Sequence, residues 1–325
     1  MKKHAPRFAP DAPRFVGVGT YARLPHVPTT EPADFGIVGV PFDLGCSFRP
    51  GPRFGPAAVR EASRLMRLAH PVHRVDIYEH LSGVDYGDTP LFPSDIEGSL
   101  RSIEKFLAEV IANGATPICI GGDHTIPLPI LRALAKKTGP LALVHFDSHT
   151  DTDDLVFGTK INHGTTFRRA LEEHLIDSKH SIQIGIRGPV NSANEVDEAR
   201  DLGFEVIEAH QMFEMSALEM AGRIRSRVGN HRAYLTFDID FLDPAFAPGT
   251  GTPEIGGPST REALAILRGL TGLDFAGFDL VEVSPPFDTG DITALAAANI
   301  IFEFIALLAL RKAAGTGSRV DAVTR

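Results

Sequence analysis

From Asp34 onward, short apolar runs alternate with longer segments that have the hydrophobic periodicity of amphipathic helices. Seven of these runs predict β-strands: FGIVGVPFD, TPICIGGD, LALVHFD, SIQIGI, FEVIEA, AYLTFDID and FAGFDLVEV. Strands of this kind, joined through helices, are typical of a parallel sheet with helices packed on both faces. The alternation therefore predicts an α/β fold and excludes an all-helical bundle or an antiparallel sandwich.

The same pattern suggests three regions along the chain. Residues 1–33 are rich in proline and lack periodicity, which predicts an extended arm or lid, or else a loose tail. Residues 34–312 show no break in composition and no internal repeat, so we expect a single α/β domain. Residues 313–325 are expected to form a flexible tail. Within the domain, Asp95 is suited to cap a long helix that Gly114 ends.

Composition removes several classes of function. The net charge is −9 and no long basic run is present, so nucleic acid is not an expected partner. The apolar run LAAANIIFEFIALLAL contains Glu303 and falls short of the ~18 residues of a membrane span, which predicts a buried core helix. The N-terminus lacks the apolar stretch of a signal peptide. With only two cysteines, Cys46 and a strand-embedded Cys119, we expect a cytoplasmic protein with free thiols.

Acidic and imidazole side chains follow four of the predicted strands. The residues are Asp123 and His124; Asp147, His149 and Asp151; Asp238 and Asp240; and Glu282. In a parallel α/β sheet, functional groups collect in the crevice at the carboxyl ends of the strands. Alternation along an extended chain also places Asp147, His149 and Asp151 on one side. We therefore expect these segments to meet at one site.

So many carboxylates in one place are unfavourable unless cations neutralise them. Asp147, Asp151, Asp238 and Asp240 carry four negative charges, which two divalent ions would balance, with His124 and His149 as neutral ligands. Carboxylate and imidazole ligands without thiolate suit Mn²⁺, and they accept Ni²⁺ as well. Two such ions can lower the pKa of a water held between them. Taken singly, each cluster also fits a helix cap or a hydrogen-bonded histidine, and only their coincidence favours metal.

Several longer motifs resemble the ureohydrolase family of arginase and agmatinase. They are GGDHT, HFDSHTDT, HGTTFRRA, TFDIDFLDPAFAPGTGTPEIGG and GFDLVEVSPPFD, in the order that the family has them. The segment GVPFDLGCSFRPGPRFGPAAVR is similar to the agmatinase branch. The resemblance, from about Asp34 to Leu310, implies a three-layer αβα sandwich with a mainly parallel eight-stranded sheet. It also implies two Mn²⁺ ions and hydrolysis of a guanidino compound to urea and an amine.

The resemblance further implies roles for individual residues. One metal would be bound by His124, Asp147, Asp151 and Asp238, and the other by Asp147, His149, Asp238 and Asp240. His163 would transfer a proton to the leaving amine, and Glu282 would hold the guanidinium. Both assignments suit the chemistry, since a carboxylate can accept two N–H bonds and a histidine titrates near neutral pH. His145 is expected to support the ligands from outside the site.

The substrate is less constrained. The loop after the Asp-x-His-x-Asp segment lacks the pattern by which arginase recognises an α-amino acid, so arginine is not expected. The loop looks closer to enzymes acting on guanidinobutyrate and guanidinopropionate, with agmatine also possible. Candidate specificity residues are Asp153, Asp154, Lys160, Asn162 and Arg49. Lys160 or Arg49 would suit a carboxylate tail, whereas Asp153 and Asp154 would suit a cationic one or simply be solvated.

Other interpretations remain open. Ser148 stands where the family more often has alanine, and some relatives hydrolyse guanidine itself or the biguanide metformin, a few with Ni²⁺. In a hetero-oligomer, a chain of this family can be a structural subunit without turnover, although all six expected ligands are present here. The paired histidines of a zinc deacetylase with this fold are absent. The family usually forms trimers or hexamers, so a homo-oligomer is the expected assembly.

Overall fold

The computed structural model describes residues 3–6, 13–190 and 192–315. Ten strands lie in these ranges: β1 (Phe35–Val40), β2 (Ala69–His70), β3 (Val75–Asp76), β4 (Gly83–Asp88), β5 (Thr116–Gly121), β6 (Ala142–Phe146), β7 (Ile182–Ile186), β8 (Glu205–Glu208), β9 (Ala233–Asp238) and β10 (Phe275–Val281). Eight of them form one sheet in the order β4-β1-β5-β10-β9-β6-β7-β8. Every pairing within that sheet is parallel, while β2 and β3 form a separate antiparallel hairpin. The prediction of a mainly parallel eight-stranded sheet is confirmed.

In the part of the chain that the structure describes, ten α-helices surround the sheet: α1 (Gly55–Ala62), α2 (Ile77–His80), α3 (Ile96–Ala112), α4 (Pro127–Thr138), α5 (Thr166–Glu172), α6 (Glu195–Asp201), α7 (Ala209–Met212), α8 (Ala217–Val228), α9 (Thr260–Arg268) and α10 (Ile292–Gly315). Side chains of α1, α2, α8, α9 and α10 share one apolar core with one face of the sheet. Side chains of α3 to α6 share a second core with the opposite face. The molecule is therefore the expected three-layer αβα sandwich.

Local signals place most of these elements correctly. The side chain of Asp95 accepts a hydrogen bond from the Gly98 N–H at the start of α3, and Gly114 just beyond its end has a φ of 90°. Helix α5 ends at Glu172, and His174 just beyond its end adopts a φ of 55° in the left-handed region.

Strand β4 was not among the seven predicted strands. Its sequence GVDYGD contains two acids and two glycines, so it lacks an apolar run. The buried Asp85 is nevertheless tolerated, because the guanidinium of Arg60 donates to both of its carboxylate oxygens at 2.9 Å. A buried ion pair of this kind has no signature in the local sequence.

Helix α10 is the only described helix that is long and apolar enough to cross a membrane, and 78% of its most apolar window is buried inside the protein. Its Glu303 is also buried, and one carboxylate oxygen accepts from Arg268 at 2.8 and 2.6 Å. The other oxygen lies 3.0 Å from Nε2 of His70 and 3.9 Å from Nε2 of His73. This cluster connects α10 to the β2–β3 hairpin and to α9, as expected for a core helix.

The described part of the N-terminal arm packs against the same chain. The Tyr21 hydroxyl donates to the carbonyl of Ala298 in α10 at 2.8 Å, and the Tyr21 N–H donates to Asp85. His4 is buried and its N–H donates to the hydroxyl of Ser82. Of the predicted flexible tail, residues 313–315 belong to the last turn of α10, and residues 316–325 lie outside the described residues.

Candidate functional site

The four central strands of the sheet, β5, β10, β9 and β6, deliver the titratable clusters. Each strand is apolar and buried until its last residues, and each then opens into a loop at the same edge of the sheet. His124 follows β5, Asp147 follows β6, Asp238 ends β9 and Glu282 follows β10. Segments far apart in the sequence therefore become neighbours, as the strand-end rule requires.

The first group of candidate ligands surrounds the Nδ1 atom of His124. This atom lies 2.9 Å from a carboxylate oxygen of Asp147, 2.9 Å from one of Asp151 and 3.2 Å from one of Asp238. All four side chains are buried. The His124 Nδ1 atom itself has no hydrogen-bond partner of acceptable geometry. One nitrogen and three carboxylate oxygens thus converge on a common point.

The protonation of His124 is set by the residues behind it. Its Nε2 lies 2.9 Å from the Thr236 hydroxyl, which in turn donates to the buried carboxylate of Asp279 at 2.6 Å. Because the hydroxyl hydrogen is committed to Asp279, Nε2 of His124 must be the donor to Thr236. A neutral His124 then has its lone pair on Nδ1, facing the carboxylates. Such an outer hydrogen bond is the usual way in which a metal-binding histidine is oriented.

A second group lies beside the first and shares Asp147 with it. Nδ1 of His149 is 3.2 Å from Asp240 and 3.5 Å from the second oxygen of Asp147. The Ser148 hydroxyl donates to Asp240 at 2.7 Å, and the Thr252 hydroxyl donates to its other oxygen at 3.3 Å. Both oxygens of Asp240 are therefore fixed by neutral donors.

Asp147, His149 and Asp151 converge for a different reason from the one expected. Strand β6 ends at Phe146, so the period-two alternation of an extended strand does not apply to these residues. The loop instead turns back, with the His149 N–H donating to Asp147 at 2.6 Å and Asp151 in the left-handed region at φ 52°. Glu282 has a φ of 63° and is likewise left-handed. Left-handed backbone at residues other than glycine costs free energy and is concentrated at functional sites.

His145 supports the first group from within strand β6. The side-chain amide of Gln183 donates to His145 Nδ1 at 3.1 Å, which leaves the proton of a neutral ring on Nε2. That nitrogen lies 2.7 Å from Asp147, so it donates to the carboxylate. His145 is completely buried between this carboxylate and the ring of Phe167. This position matches the supporting role expected for it.

The electrostatics of the cluster favour a bound cation. Burial and the charges of Asp240 and Asp147 raise the pKa of Asp238 well above its usual value. Burial and the charge of Asp147 also raise the pKa of Asp151. For Asp147 itself burial acts in the same direction, but the neighbouring histidines outweigh it and lower the pKa. Carboxylates that resist ionisation together, beside an unpartnered imidazole nitrogen, are suited to divalent ions.

His163 and Glu282 lie next to this cluster and contact each other. Nδ1 of His163 is 2.9 Å from Oε1 of Glu282, and the same oxygen accepts from the His124 N–H at 2.9 Å. The Oε2 atom of Glu282 is buried and has no partner. Burial lowers the pKa of His163, but the hydrogen bond and charge of Glu282 outweigh it and raise the pKa to about 9. Glu282 therefore keeps one oxygen available beside the ligand cluster.

A cavity of about 390 Å³ opens above the site. Its lining includes His149, Asp151 and Asp238 from the ligand clusters, together with His163. Of the five candidate specificity residues, Asp153 and Asn162 also line it. Burial, followed by the charges of Glu195 and Asp151, raises the pKa of Asp153 to about 6.

Three candidate specificity residues do not line the cavity. Asp154 accepts from Arg169 at 2.6 Å, Lys160 is exposed on the loop, and the Arg49 guanidinium lies over the rings of Phe48 and Phe287. Asn162 has a second role, since its amide donates to the Gly45 carbonyl at 2.6 Å and its side-chain oxygen caps the turn that carries His163.

Sequence reasoning missed several other residues that line the cavity. Among them are Ser47, Glu195 and Thr252, each of which stands in a loop or at a helix start with no metal-like spacing. Thr252 falls inside the long family motif, which was a usable signal. Ser47 and Glu195 reach the cavity only through the packing of the loops after β1 and β7.

Comparisons with known proteins identify the family of this chain. The family model described as Arginase family matches residues 33–307. A guanidinopropionase of Pseudomonas aeruginosa is 47% identical, with 94% of this chain and 96% of that protein covered. A guanidinobutyrase of the same organism is 44% identical, with 94% and 97% covered.

Solved structures give the same result. That of proclavaminate amidino hydrolase from Streptomyces clavuligerus superposes with a TM-score of 0.89 at 40% identity, covering 92% of this chain and 100% of that one. A formiminoglutamase structure from Trypanosoma cruzi, described with Mn²⁺, gives a TM-score of 0.78 at 26% identity, covering 86% and 94%. The family resemblance of the motifs is thus confirmed, and the chain belongs to the arginase family as an enzyme of the ureohydrolase type.

Proposed function

We propose that this enzyme hydrolyses a linear guanidino compound other than arginine to urea and an amine, at a site that binds two divalent ions. The observation that carries the proposal is the unpartnered, buried Oε2 of Glu282 beside two groups of carboxylate and imidazole ligands. A buried carboxylate oxygen without a donor is unfavourable, and a guanidinium N–H would satisfy it.

The proposed ligand sets combine the distances around His124 and His149 with the family resemblance, which alone adds Asp238 to the second set. One ion would be held by His124, Asp147, Asp151 and Asp238, and the other by Asp147, His149, Asp238 and Asp240. When bound, the pair of ions supplies an activated water for attack on the guanidinium carbon. Mn²⁺ is the proposed metal, since a solved relative is described with it, and the same ligands accept Ni²⁺.

The remaining steps belong to protein side chains. Glu282 orients the planar guanidinium through Oε2, while its Oε1 stays fixed by His124 and His163. Orientation of this kind places the reacting carbon without a cost at the moment of reaction. His163 carries the proton that the leaving amine needs as its carbon–nitrogen bond breaks.

The relatives' names support guanidinopropionate or guanidinobutyrate as substrate. The charge of the cavity supports a second candidate. Asp153 and Glu195 line the cavity, whereas none of the described residues that line it is a lysine or arginine. An acidic lining attracts a cationic tail, as in agmatine, or admits a small guanidinium compound without a charged tail, and it repels a carboxylate. A small or unusual guanidine is therefore the second proposal, with Ni²⁺ as its alternative metal.

One panel of assays tests these proposals. Urea release would be measured from arginine, agmatine, guanidinobutyrate, guanidinopropionate, guanidine and metformin, each after loading with Mn²⁺ or with Ni²⁺. We expect release from at least one compound other than arginine, and none from protein stripped of metal. The Glu282→Gln variant keeps the shape of the side chain but removes its charge, so we expect kcat/KM to fall by a factor of 10²–10³ at unchanged metal content.

The outcomes separate the alternatives. Urea release by metal-free protein would contradict the proposed chemistry. A fully loaded protein that releases no urea from any compound would indicate a structural subunit. If at least one compound yields urea, a preference for guanidinobutyrate and guanidinopropionate would show that the acidic lining of the cavity does not select the tail of the substrate.

A further inference from the structure

The hydroxyl of Ser47 contacts His163, and both residues line the cavity. Both ring nitrogens of His163 are engaged: Nδ1 contacts Glu282 at 2.9 Å, and Nε2 contacts the Ser47 hydroxyl at 2.7 Å. Ser47 also lines the cavity. A proton that leaves His163 must therefore pass through one of these two partners. Glu282 is committed to the guanidinium, which leaves the serine hydroxyl as the route.

The contacts of Nε2 differ between the two protonation states of His163. In the neutral ring, Nε2 accepts from the Ser47 N–H at 3.1 Å, and the proton on Nδ1 is donated to Glu282. When the ring takes up a second proton, Nε2–H can donate to the Ser47 hydroxyl oxygen instead. A hydroxyl can accept one hydrogen bond and donate another at the same time. Ser47 thus has a free donor directed away from His163 in that state.

The position of Ser47 is fixed by its loop. The Gly45 N–H donates to the buried carboxylate of Asp123 at 2.7 Å. The Gly45 carbonyl accepts from the side chain of Asn162 at 2.6 Å and from the His163 N–H at 3.3 Å. The loop after β1 and the turn that carries His163 are therefore joined directly, and Ser47 is held against the imidazole by backbone contacts.

We propose that Ser47 relays the proton from His163 to the leaving amine, an inference that rests on the hydrolysis proposed above. As the carbon–nitrogen bond breaks, its electron pair stays on the leaving nitrogen. That nitrogen takes the proton of the Ser47 hydroxyl, and the Ser47 oxygen takes the proton from Nε2 of His163. Ser47 ends unchanged, and neutral His163 returns to accepting from the Ser47 N–H, which is the arrangement in the structure.

The test compares Ser47→Ala with Ser47→Thr and with a neighbouring control, Cys46→Ala. The Cys46 thiol lies 4.0 Å from Asp123 and makes no contact with His163 among the described residues. On the substrate that the wild type hydrolyses best, we expect Ser47→Ala to lower kcat by a factor of 10–100, with KM and metal content within about two-fold. Ser47→Thr keeps the hydroxyl and should restore kcat to within about five-fold, and Cys46→Ala should leave it unchanged.

Each other result overturns the relay. An unchanged kcat in Ser47→Ala shows that the proton takes another path. A loss that Ser47→Thr does not restore, or one accompanied by altered KM or metal content, shows that Ser47 only shapes the site. A wild-type enzyme that releases no urea from any guanidino compound overturns the proposed hydrolysis and the relay together, whereas an active wild type confines the failure to Ser47.

Discussion

Acidification should weaken the fold through His73, a residue far from the ligand clusters. Burial, and then the charge of His70, lower the pKa of His73 from 6.5 to about 4, although Glu303 acts in the opposite direction and Arg268 adds to the lowering. The unfolded chain therefore binds a proton on His73 between pH 6.5 and 4 where the folded chain does not. Stability must rise with pH across that window, so it is lost as the pH falls from 7.5 to 5.

The size of the effect follows from these two pKa values. At pH 5 an unfolded histidine is almost fully protonated, while the folded His73 is about one-tenth protonated, which corresponds to a loss of about 2 kcal/mol from this residue alone. At pH 7.5 the contribution is close to zero. The groups that face His73, namely His70, Glu303 and Arg268, remain in a His73→Gln variant, so their contributions cancel in the comparison.

Urea-induced unfolding of the wild type and of His73→Gln, at pH 7.5 and at pH 5, measures this contribution. Protein concentration and metal loading should be equal throughout, so that pH effects on the ligand clusters cancel in the comparison. The wild type should lose about 2 kcal/mol more than the variant between the two pH values. If both proteins lose the same free energy of unfolding, then His73 is not held neutral by its surroundings and the reasoning is refuted.

Three further predictions concern the site and the core. Asp147→Ala should lose bound metal and urea release together, because both ligand groups use this side chain; metal analysis showing two ions in an inactive variant would contradict this. Gly122→Ala would place a Cβ 2.1 Å from the Phe42 carbonyl oxygen, so it should destabilise the protein by roughly 1–3 kcal/mol and weaken metal binding. In the control Gly222→Ala, the nearest neighbouring atom is 3.9 Å from the new Cβ, so neither effect is expected when both variants are unfolded thermally under the same conditions. Phe304→Ala removes a fully buried ring from the core and should cost about 3–5 kcal/mol of unfolding free energy in urea titrations, with metal stoichiometry unchanged.

The sequence was sufficient where one physical signal acted alone. Seven strands of the large sheet are apolar runs, and the candidate ligands stand directly after four of them, so both the fold and the clusters were predictable. Strand β4 was not, because the burial of Asp85 depends on its pairing with Arg60, which lies in a different element. Ser47 was missed for a similar reason, since its contact with His163 depends on how two distant loops pack.

The assignment of Lys160 and Arg49 to substrate selection shows a related limit. The positive charge of both side chains, and the position of Lys160 in the loop after Asp151, suggested a role at the cavity. Neither side chain lines it. Asp154 was chosen on the same grounds and pairs with Arg169. Loop conformation decides which of several neighbouring charges faces a cavity, and loop conformation carries little periodic signal. Asp153 differs from Asp154 by one position and faces the cavity.

The order of the central strands has a consequence for how the chain folds. Strand β10, the last strand in sequence, lies between β5 and β9, and Phe278 pairs with Ile118 across most of the length of the domain. During synthesis, one edge of β5 therefore stays unpaired until residues 275–281 have left the ribosome. Pairings over such sequence distances fold slowly and leave apolar surface exposed. Because Glu282 follows directly after β10, the candidate site cannot be completed before the final step of sheet assembly, and metal uptake should mark the end of folding.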